Sequence, residues 1–280
     1  MADRFEFTLG SVETSILGQA FGVDVRRFPL RVRNTTTDPV RLAKLASLVL
    51  EDLRQRGLGT TERLHPSLET AFGLFDGHRV AVAVTGIDGL GEDIAVLVYT
   101  DGAQALGITQ GAGQDDLLFA LFSDDDLIEV LAGVPPAAKA APGGPLSVRE
   151  RPEQRQSAMA ARRAAEAEHD FEETDAFGNI EVAGVVQAGD VPAYSDHTDA
   201  ERLAEILSGR RLGGGQIFVS GRGRHGERRD APPLSWLDTE RGRYLVQTGT
   251  DEAGAFVATY SPAGRDEVAR AMREAVSSVY

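Results

Sequence analysis

Three glycines in the second half of the chain fit the spacing G-x-G-x-x-G: Gly221, Gly223 and Gly226. In dinucleotide-binding folds this spacing marks a tight turn before a helix, whose first amides hold the pyrophosphate. Here the chain continues with charged residues to Pro232 and Pro233, which do not begin such a helix. The pattern therefore favours a solvated hairpin, with nucleotide binding as the alternative.

Arginines surround those glycines at Arg222, Arg224, Arg228 and Arg229. They either contact an acidic partner or face solvent, and both interpretations stay open. A second glycine run, 213–215, lacks the Lys-Ser/Thr that follows a phosphate-binding loop. It predicts a flexible start to a strand.

Two acidic clusters, Asp115-Asp116 and Asp124-Asp125-Asp126, supply the oxygen ligands that divalent cations prefer. The trio lies where a predicted strand passes into a helix, and carboxylates are stabilising near a helix N-terminus. The pair lies in a predicted turn between strands, which is an ordinary place for aspartate. We expect helix-end and turn roles, with metal binding as the alternative.

Zinc and hydrolase chemistry are not indicated. No two of the five histidines have the spacing of ligands on one helix face: His65, His78, His169, His197 and His225. The sequence Ser195-Asp196-His197 contains the residue types of a hydrolase triad, but as neighbours, and no G-x-S-x-G motif is present. The sequence therefore predicts a protein without catalytic activity, cofactor or bound metal.

The composition excludes further classes of function. The 280 residues contain no cysteine, so disulfides, thiolate metal sites and cysteine nucleophiles are excluded. A net charge of -14 repels phosphate groups, which argues against nucleic acid or an anionic membrane as the partner. No run of about 18 apolar residues and no signal-peptide pattern occurs, so we expect no membrane insertion and a cytoplasmic location.

The first 75 residues predict helices with short extended pieces. Residues 5–9 alternate as in a strand, 11–21 have helical periodicity ending at Gly22, and 28–32 favour a short edge strand. Asp38 and Pro39 begin a helix that ends at Arg56-Gly57. Its predicted buried stripe is Leu42, Leu45, Ala46, Val49, Leu50 and Leu53.

Two segments, 79–131 and 215–280, share one plan of four short strands followed by a helix. The first strands correspond at a spacing of 137 residues, so that Gly86 matches Gly223, and the later strands correspond at 138. This drift of one residue indicates an internal duplication. Two such sheets packed about a pseudo-twofold axis can bury an apolar face that neither buries alone.

The two copies define one domain, 1–280, with halves 1–132 and 151–280. Between them, residues 133–150 begin rich in proline, alanine and glycine, which predicts an extended, mobile linker. Residues 152–169 favour an exposed helix, and 199–207 a helix that precedes the second set of strands as 66–75 precedes the first.

Several short segments have the types and order found in one known family: the opening strand with Val12-Glu13, Phe28-Pro29-Leu30, Arg56-Gly57-Leu58, His65-Pro66-Ser67-Leu68 and the hairpin from Val80 to Tyr99. On these residues the chain resembles the EspG family of actinobacteria, the cytosolic chaperones of type VII (ESX) secretion. The resemblance implies an α+β fold of quasi-twofold symmetry, with a central antiparallel β-meander sheet flanked by helical bundles.

The resemblance also implies a partner. EspG proteins bind PE-PPE heterodimers at an apolar helical tip and keep them soluble for export, through a hairpin loop of the first half and the C-terminal half. On this chain the loop is 86–93, and the contact residues expected are Ile87, Asp88, Leu90 and Glu92, with Arg222 and Arg224 from the second half. Ile87 and Leu90 either anchor the partner or fold back on the sheet.

A second hypothesis from another class stays open. In it, the chain is an enzyme or a small-ligand protein that uses the acidic clusters or the arginine-rich loop 221–229. Weak homo-oligomerisation also stays open.

Overall fold

A single antiparallel sheet organises the computed structural model, which describes residues 4–150, 196–223, 225–252 and 254–280. The helix predicted for 152–169 lies outside these ranges. Within them the sheet has eleven strands: β1 Phe5–Gly10, β2 Val80–Ile87, β3 Asp93–Thr100, β4 Gln104–Gln110, β5 Asp116–Ser123, β6 Leu146–Glu150, β7 Arg211–Arg222, β8 Arg228–Asp230, β9 Leu234–Thr239, β10 Gly242–Thr250 and β11 Phe256–Pro262.

Six α-helices accompany the sheet in the described ranges: α1 Ser11–Phe21, α2 Pro39–Gln55, α3 Pro66–Gly77, α4 Leu127–Ala132, α5 Asp196–Ser208 and α6 Arg265–Val279. The predicted helix ends are confirmed where the signals are local. Gly22 ends α1 in the left-handed conformation, and the Asp38 carboxylate accepts hydrogen bonds from the amides of Val40 and Arg41. No helix in these ranges is long and apolar enough to cross a membrane.

The strand order reads the same outward from the centre in both directions. It is β1-β5-β4-β3-β2-β7-β9-β10-β11-β6, with β8 paired to β7 at the side. Each half therefore runs from the central β2–β7 pair through three meander strands to an outer strand that precedes them in sequence. The predicted α+β fold with an antiparallel meander sheet is confirmed, but the two halves join edge to edge at β2 and β7 in one continuous sheet and are not two sheets packed on each other. Descent of the halves from one ancestor remains a prediction.

Helices cover both faces of the sheet. On one face, α1, α2 and α3 pack over the first half, around Phe72 and Phe119, and α5 packs over the second half, around Tyr244. On the other face, α4 and α6 enclose a core to which both halves contribute, including Val82 and Val219. Over β2 and β7, neither helical layer covers the first face.

Two predictions in the first half are corrected by the structure, one of them at a single residue. Residues 28–32 form no strand, since the backbone N–H and C=O of Arg31 bond to the Gln110 side chain, at 2.7 and 3.1 Å, and not to a neighbouring strand. In α2 only Val49 and Leu53 are buried, and Leu50 is exposed. Leu42, Leu45 and Ala46 are partly buried and pack against the same core, so the predicted stripe is wrong only at Leu50.

The predicted mobile linker, 133–150, is hydrogen-bonded to the second half. The Arg243 guanidinium donates to the carbonyl of Pro136 at 2.6 Å, and the Arg243 backbone N–H donates to the carbonyl of Lys139 at 2.7 Å. The last five residues form β6, which pairs with β11. The composition predicted mobility, and this prediction is wrong because the backbone polar groups of the segment have hydrogen-bond partners distant in the chain.

The glycines 213–215 are part of β7 and do not form a flexible start to it. Gly215, together with Gly86 of β2, leaves room for the indole of Trp236, which is 1% exposed. A Cβ on Gly215 would lie 2.1 Å from Trp236 Cη2, and one on Gly86 would lie 2.9 Å from the same atom. Glycine at these positions therefore allows the Trp236 indole to pack against the neighbouring strands.

Candidate partner-binding site

The loop between β2 and β3 is held in shape by one of its predicted contact residues. The Asp88 carboxylate accepts hydrogen bonds from the amides of Leu90 and Glu92 at 2.8 and 2.9 Å. The backbone closes the turn further, since the N–H of Asp88 donates to the carbonyl of Glu92 at 3.0 Å. Gly91 has a φ of +83°, a conformation that glycine adopts without strain. Asp88 therefore orders the loop from within.

The two apolar residues of the loop have different environments. Leu90 lies at the tip and is 89% exposed, the largest exposed fraction among the large apolar side chains described. Ile87 is the last residue of β2, pairs with Gly214 and Asp93, and is half-buried. Leu90 therefore has the position that anchoring a partner requires. Ile87 has the position of a residue that folds back on the sheet.

The loop lies beside the start of β7. A Cβ on Gly89 would lie 3.3 Å from the carbonyl oxygen of Leu212, and one on Gly213 would lie 2.7 Å from the carbonyl oxygen of Ile87. Leu212 is 37% exposed. The tip therefore presents two exposed leucines from different halves of the chain. Sequence reasoning missed Leu212, although it is the one large apolar residue between two arginines and the glycine run.

Arg222 lies at the opposite end of the central strand pair. Val80 pairs with Gly221 there, whereas Ile87 pairs with Gly214 at the end that carries the loop. At about 3.4 Å per residue, those two ends are separated by about 24 Å. The structure thus brings Ile87, Asp88, Leu90 and Glu92 together and places Arg222 apart from them. Arg224 lies outside the described residues.

A groove of about 860 Å3 opens at the base of the loop. It is bounded by 26–34, which connects α1 to α2, by the end of β2 with the start of β3, and by the turn from β4 to β5. Its charges are largely balanced, since Arg31 contacts Asp93 at 3.4 Å and Arg33 contacts Asp115 at 2.9 Å. The exposed loop therefore borders a concave surface of mixed polarity.

The G-x-G-x-x-G loop has a different geometry from a pyrophosphate cradle. It is followed by the strand β8 and not by a helix. The Glu227 carboxylate folds into the loop, where it accepts a hydrogen bond from the N–H of His225 at 3.1 Å and would lie 2.0 Å from a Cβ on Gly223. The N–H of Glu227 itself, followed by that of His225, lowers the pKa of the Glu227 carboxyl.

The acidic clusters have structural partners. Asp124, Asp125 and Asp126 form a 3-10 turn between β5 and α4, in which Ser123 accepts the N–H of Asp125 and the Asp124 carboxylate accepts the hydroxyl of Thr100. Within the described ranges no three His, Asp or Glu side chains converge as metal ligands would. The side chains of Ser195-Asp196-His197 lie outside the described part of the chain.

The sequence matches the model of the EspG family over residues 11–274. The chain belongs to the EspG family. The family predicted from the sequence is therefore confirmed, as is the fold class that the resemblance implied. A search of curated proteins finds no matching relative.

A solved structure supports the EspG fold. The chain is similar to the Mycobacterium tuberculosis type VII secretion system chaperone EspG5, whose structure was determined in complex with the PE25-PPE41 dimer. The TM-score is 0.63 at 13% sequence identity, and the match covers 99% of this chain and 97% of that one. At this identity the likeness establishes a common fold over the whole length.

Proposed function

We propose that this EspG protein is a cytoplasmic, non-catalytic chaperone of type VII secretion that binds PE-PPE client proteins and keeps them soluble for export. Membership of the family supports this function, and so does the likeness in fold to a chaperone whose complex with a PE-PPE dimer is known. The observation that carries it on this chain is Leu90, a leucine that is 89% exposed on an ordered loop.

The proposed contact is the loop tip with the start of β7. An exposed leucine costs the free protein little stability. Once a partner buries it, it contributes about 25 cal/mol of binding free energy per Å2 of apolar surface. Because the Asp88 carboxylate already fixes the amides of Leu90 and Glu92, less conformational entropy is lost on binding. Leu90 and Leu212 would face the apolar helical tip of the client, and the groove at the loop base would receive the rest of the tip.

Co-expression tests the function. The chain, carrying an affinity tag, is produced together with a PE-PPE pair from the same genome and purified through the tag. A stoichiometric complex that survives size-exclusion chromatography is expected, together with PE-PPE that precipitates when the chaperone is omitted. Failure of every available pair to co-purify would contradict the proposal.

A further inference from the structure

A second groove, of about 590 Å3, lies on the sheet between the two helical layers. Its floor includes Ala81 and Ala83 of β2 and Phe218 of β7, which alternate onto the face that α1–α3 and α5 cover elsewhere. The small alanine side chains leave depth over the central strands. This second groove reaches Arg222, at the end of the strand pair away from Leu90, and its volume is within the range of small-molecule sites.

Aromatic side chains line the second groove. Phe28 is 63% exposed and Phe218 is 37% exposed, and their rings meet edge to face with centroids 5.9 Å apart. Two aromatic rings in contact with each other and still open to solvent form a favourable surface for an apolar group.

Tyr99 supplies an unused hydrogen-bond donor. Its side chain lines the second groove and is 3% exposed, and its hydroxyl has no hydrogen-bond partner among the described residues. Burial raises the pKa of Tyr99 to about 12, so the phenol stays protonated and can donate. The hydroxyl oxygen itself is not fully buried, because Trp236 Nε1 is the one fully buried side-chain polar atom without a partner among the described residues; the phenol can therefore donate to an acceptor in the groove.

Two arginines add positive charge at the same place. Arg27 and Arg222 line the second groove and donate to the backbone carbonyls of Asp24 and Asp76 at 3.2 and 2.8 Å. Among the described residues, neither has an ion-pair partner, in a chain whose net charge is -14. By contrast Arg228, which also lines this groove, is paired with Asp230 at 2.8 Å.

The neighbouring histidine adds no charge. Burial, followed by the positive charges of Arg222 and Arg27, lowers the pKa of His78, whose ring stacks on Tyr99 at 4.4 Å. The carboxylate of Asp24 accepts a hydrogen bond from Arg26, and Asp76 lines an adjoining pocket and not this groove. The donors that remain for a ligand are therefore one phenol and two guanidinium groups.

We propose that the second groove is a binding site for a small amphipathic carboxylate. Its carboxylate accepts hydrogen bonds from the Tyr99 hydroxyl and from Arg27 and Arg222, and its aryl or acyl group lies against Phe28 and Phe218. Guanidinium groups suit the geometry of a carboxylate, and a single negative charge loses less hydration in an apolar groove than a phosphate dianion. The second groove adjoins the groove at the loop base and shares Arg27 and Phe28 with it, but Tyr99 and Arg222 line only the second groove, and the inference does not depend on the proposed client contact.

Isothermal titration with 4-phenylbutyrate, and with the neutral 4-phenylbutanol as its match, tests the site. Wild-type protein is expected to bind the acid and not the alcohol. Tyr99→Phe removes only the hydroxyl and should weaken binding about tenfold, and Arg27→Met with Arg222→Met should weaken it about a hundredfold or more. Arg229→Met, on β8 but outside the groove and paired with Glu227, should change affinity less than about twofold.

Thermal melts of each variant establish that it is folded, and co-purification of a PE-PPE pair with Tyr99→Phe should proceed as with wild type. The proposal is overturned if the acid does not bind at millimolar concentration, if the alcohol binds equally well, or if the double arginine variant keeps its affinity. Loss of client binding in Tyr99→Phe would also overturn it, because the groove would then belong to the client site.

Discussion

Val82 and Val219 lie directly opposite each other in the antiparallel pair of β2 and β7, at the centre of the sheet. The same two residues correspond in the predicted duplication, at its spacing of 137. A residue that pairs with its own counterpart lies on the axis of a twofold arrangement. We therefore propose halves 1–132 and 151–280 about this pair, and superposition of 79–131 on 216–272 is the test of common origin.

Truncation of the central pair should destabilise both halves together. Val82→Ala and Val219→Ala should each lower the free energy of unfolding by about 2 kcal/mol, because both side chains are at most 3% exposed. Since the two share one core, the double variant should depart from additivity. Urea denaturation measures this, with Val40→Ala, 79% exposed, as a control that changes stability by less than about 0.5 kcal/mol. Single-variant losses no larger than the control's would contradict it.

The loop variant Leu90→Asp should abolish co-purification of the PE-PPE client and leave the melting temperature unchanged, because the side chain is 89% exposed in the free protein. Leu48→Asp, which places the same change on α2 where Leu48 is 60% exposed, should leave the complex intact. Ile87→Asp should instead lower the melting temperature, since Ile87 is half-buried. Full complex formation by Leu90→Asp would exclude the loop tip as the contact.

Removal of Asp238 should be costly. Its carboxylate receives two hydrogen bonds from the Arg243 guanidinium, at 2.7 and 2.8 Å, and the Arg243 and Asp238 side chains are 3% and 9% exposed. Asp238→Ala leaves a buried, unpaired cation and should lower the free energy of unfolding by about 3–5 kcal/mol. In urea denaturation, Asp230→Ala, which breaks the exposed Arg228–Asp230 pair, should cost less than about 1 kcal/mol. Equal losses would show that the Asp238–Arg243 pair is solvated.

The glycine beside the indole should tolerate no methyl group. Gly215→Ala would place a Cβ 2.1 Å from Trp236 Cη2 and 2.3 Å from the Thr85 carbonyl oxygen, so the strand or the ring must move. Because Trp236 is the only tryptophan, its fluorescence emission should shift to longer wavelength as the melting temperature falls. Gly249→Ala, in β10 with no atom near the added Cβ, is the matched control and should leave both observables unchanged. An unshifted emission in Gly215→Ala would refute the packing role.

Stability should depend on pH through His78. Burial lowers its pKa in the folded state below the ordinary value of about 6.5. Between the two values the unfolded chain binds more protons, so stability should fall as the pH drops through about 6.5. Urea denaturation from about pH 7.5 to about pH 5.5 should show a smaller loss in His78→Asn, whose amide can still donate to the Leu74 carbonyl. Identical pH profiles would mean that His78 does not contribute.

Local signals in the sequence predicted much of the fold. The Asp38 cap, the proline after it and the glycine that ends α1 act within one or two turns of helix, so composition and order suffice to place them. The meander strands were predicted from alternation and turn residues for the same reason. The family resemblance predicted the loop 86–93 as a contact. The hydrogen bonds by which Asp88 orders that loop were not predicted.

What only the tertiary structure decided depends on residues distant in the chain. Leu212 beside the loop, Arg222 away from it, the arginine that fastens 133–150 and the groove at Tyr99 all follow from which strands are neighbours. The sequence by itself determined the elements, the charge and the family, because those depend on residue types and short spacings. Strand order and the packing of helices on two faces determined which side chains meet, and no short-range pattern encodes those contacts.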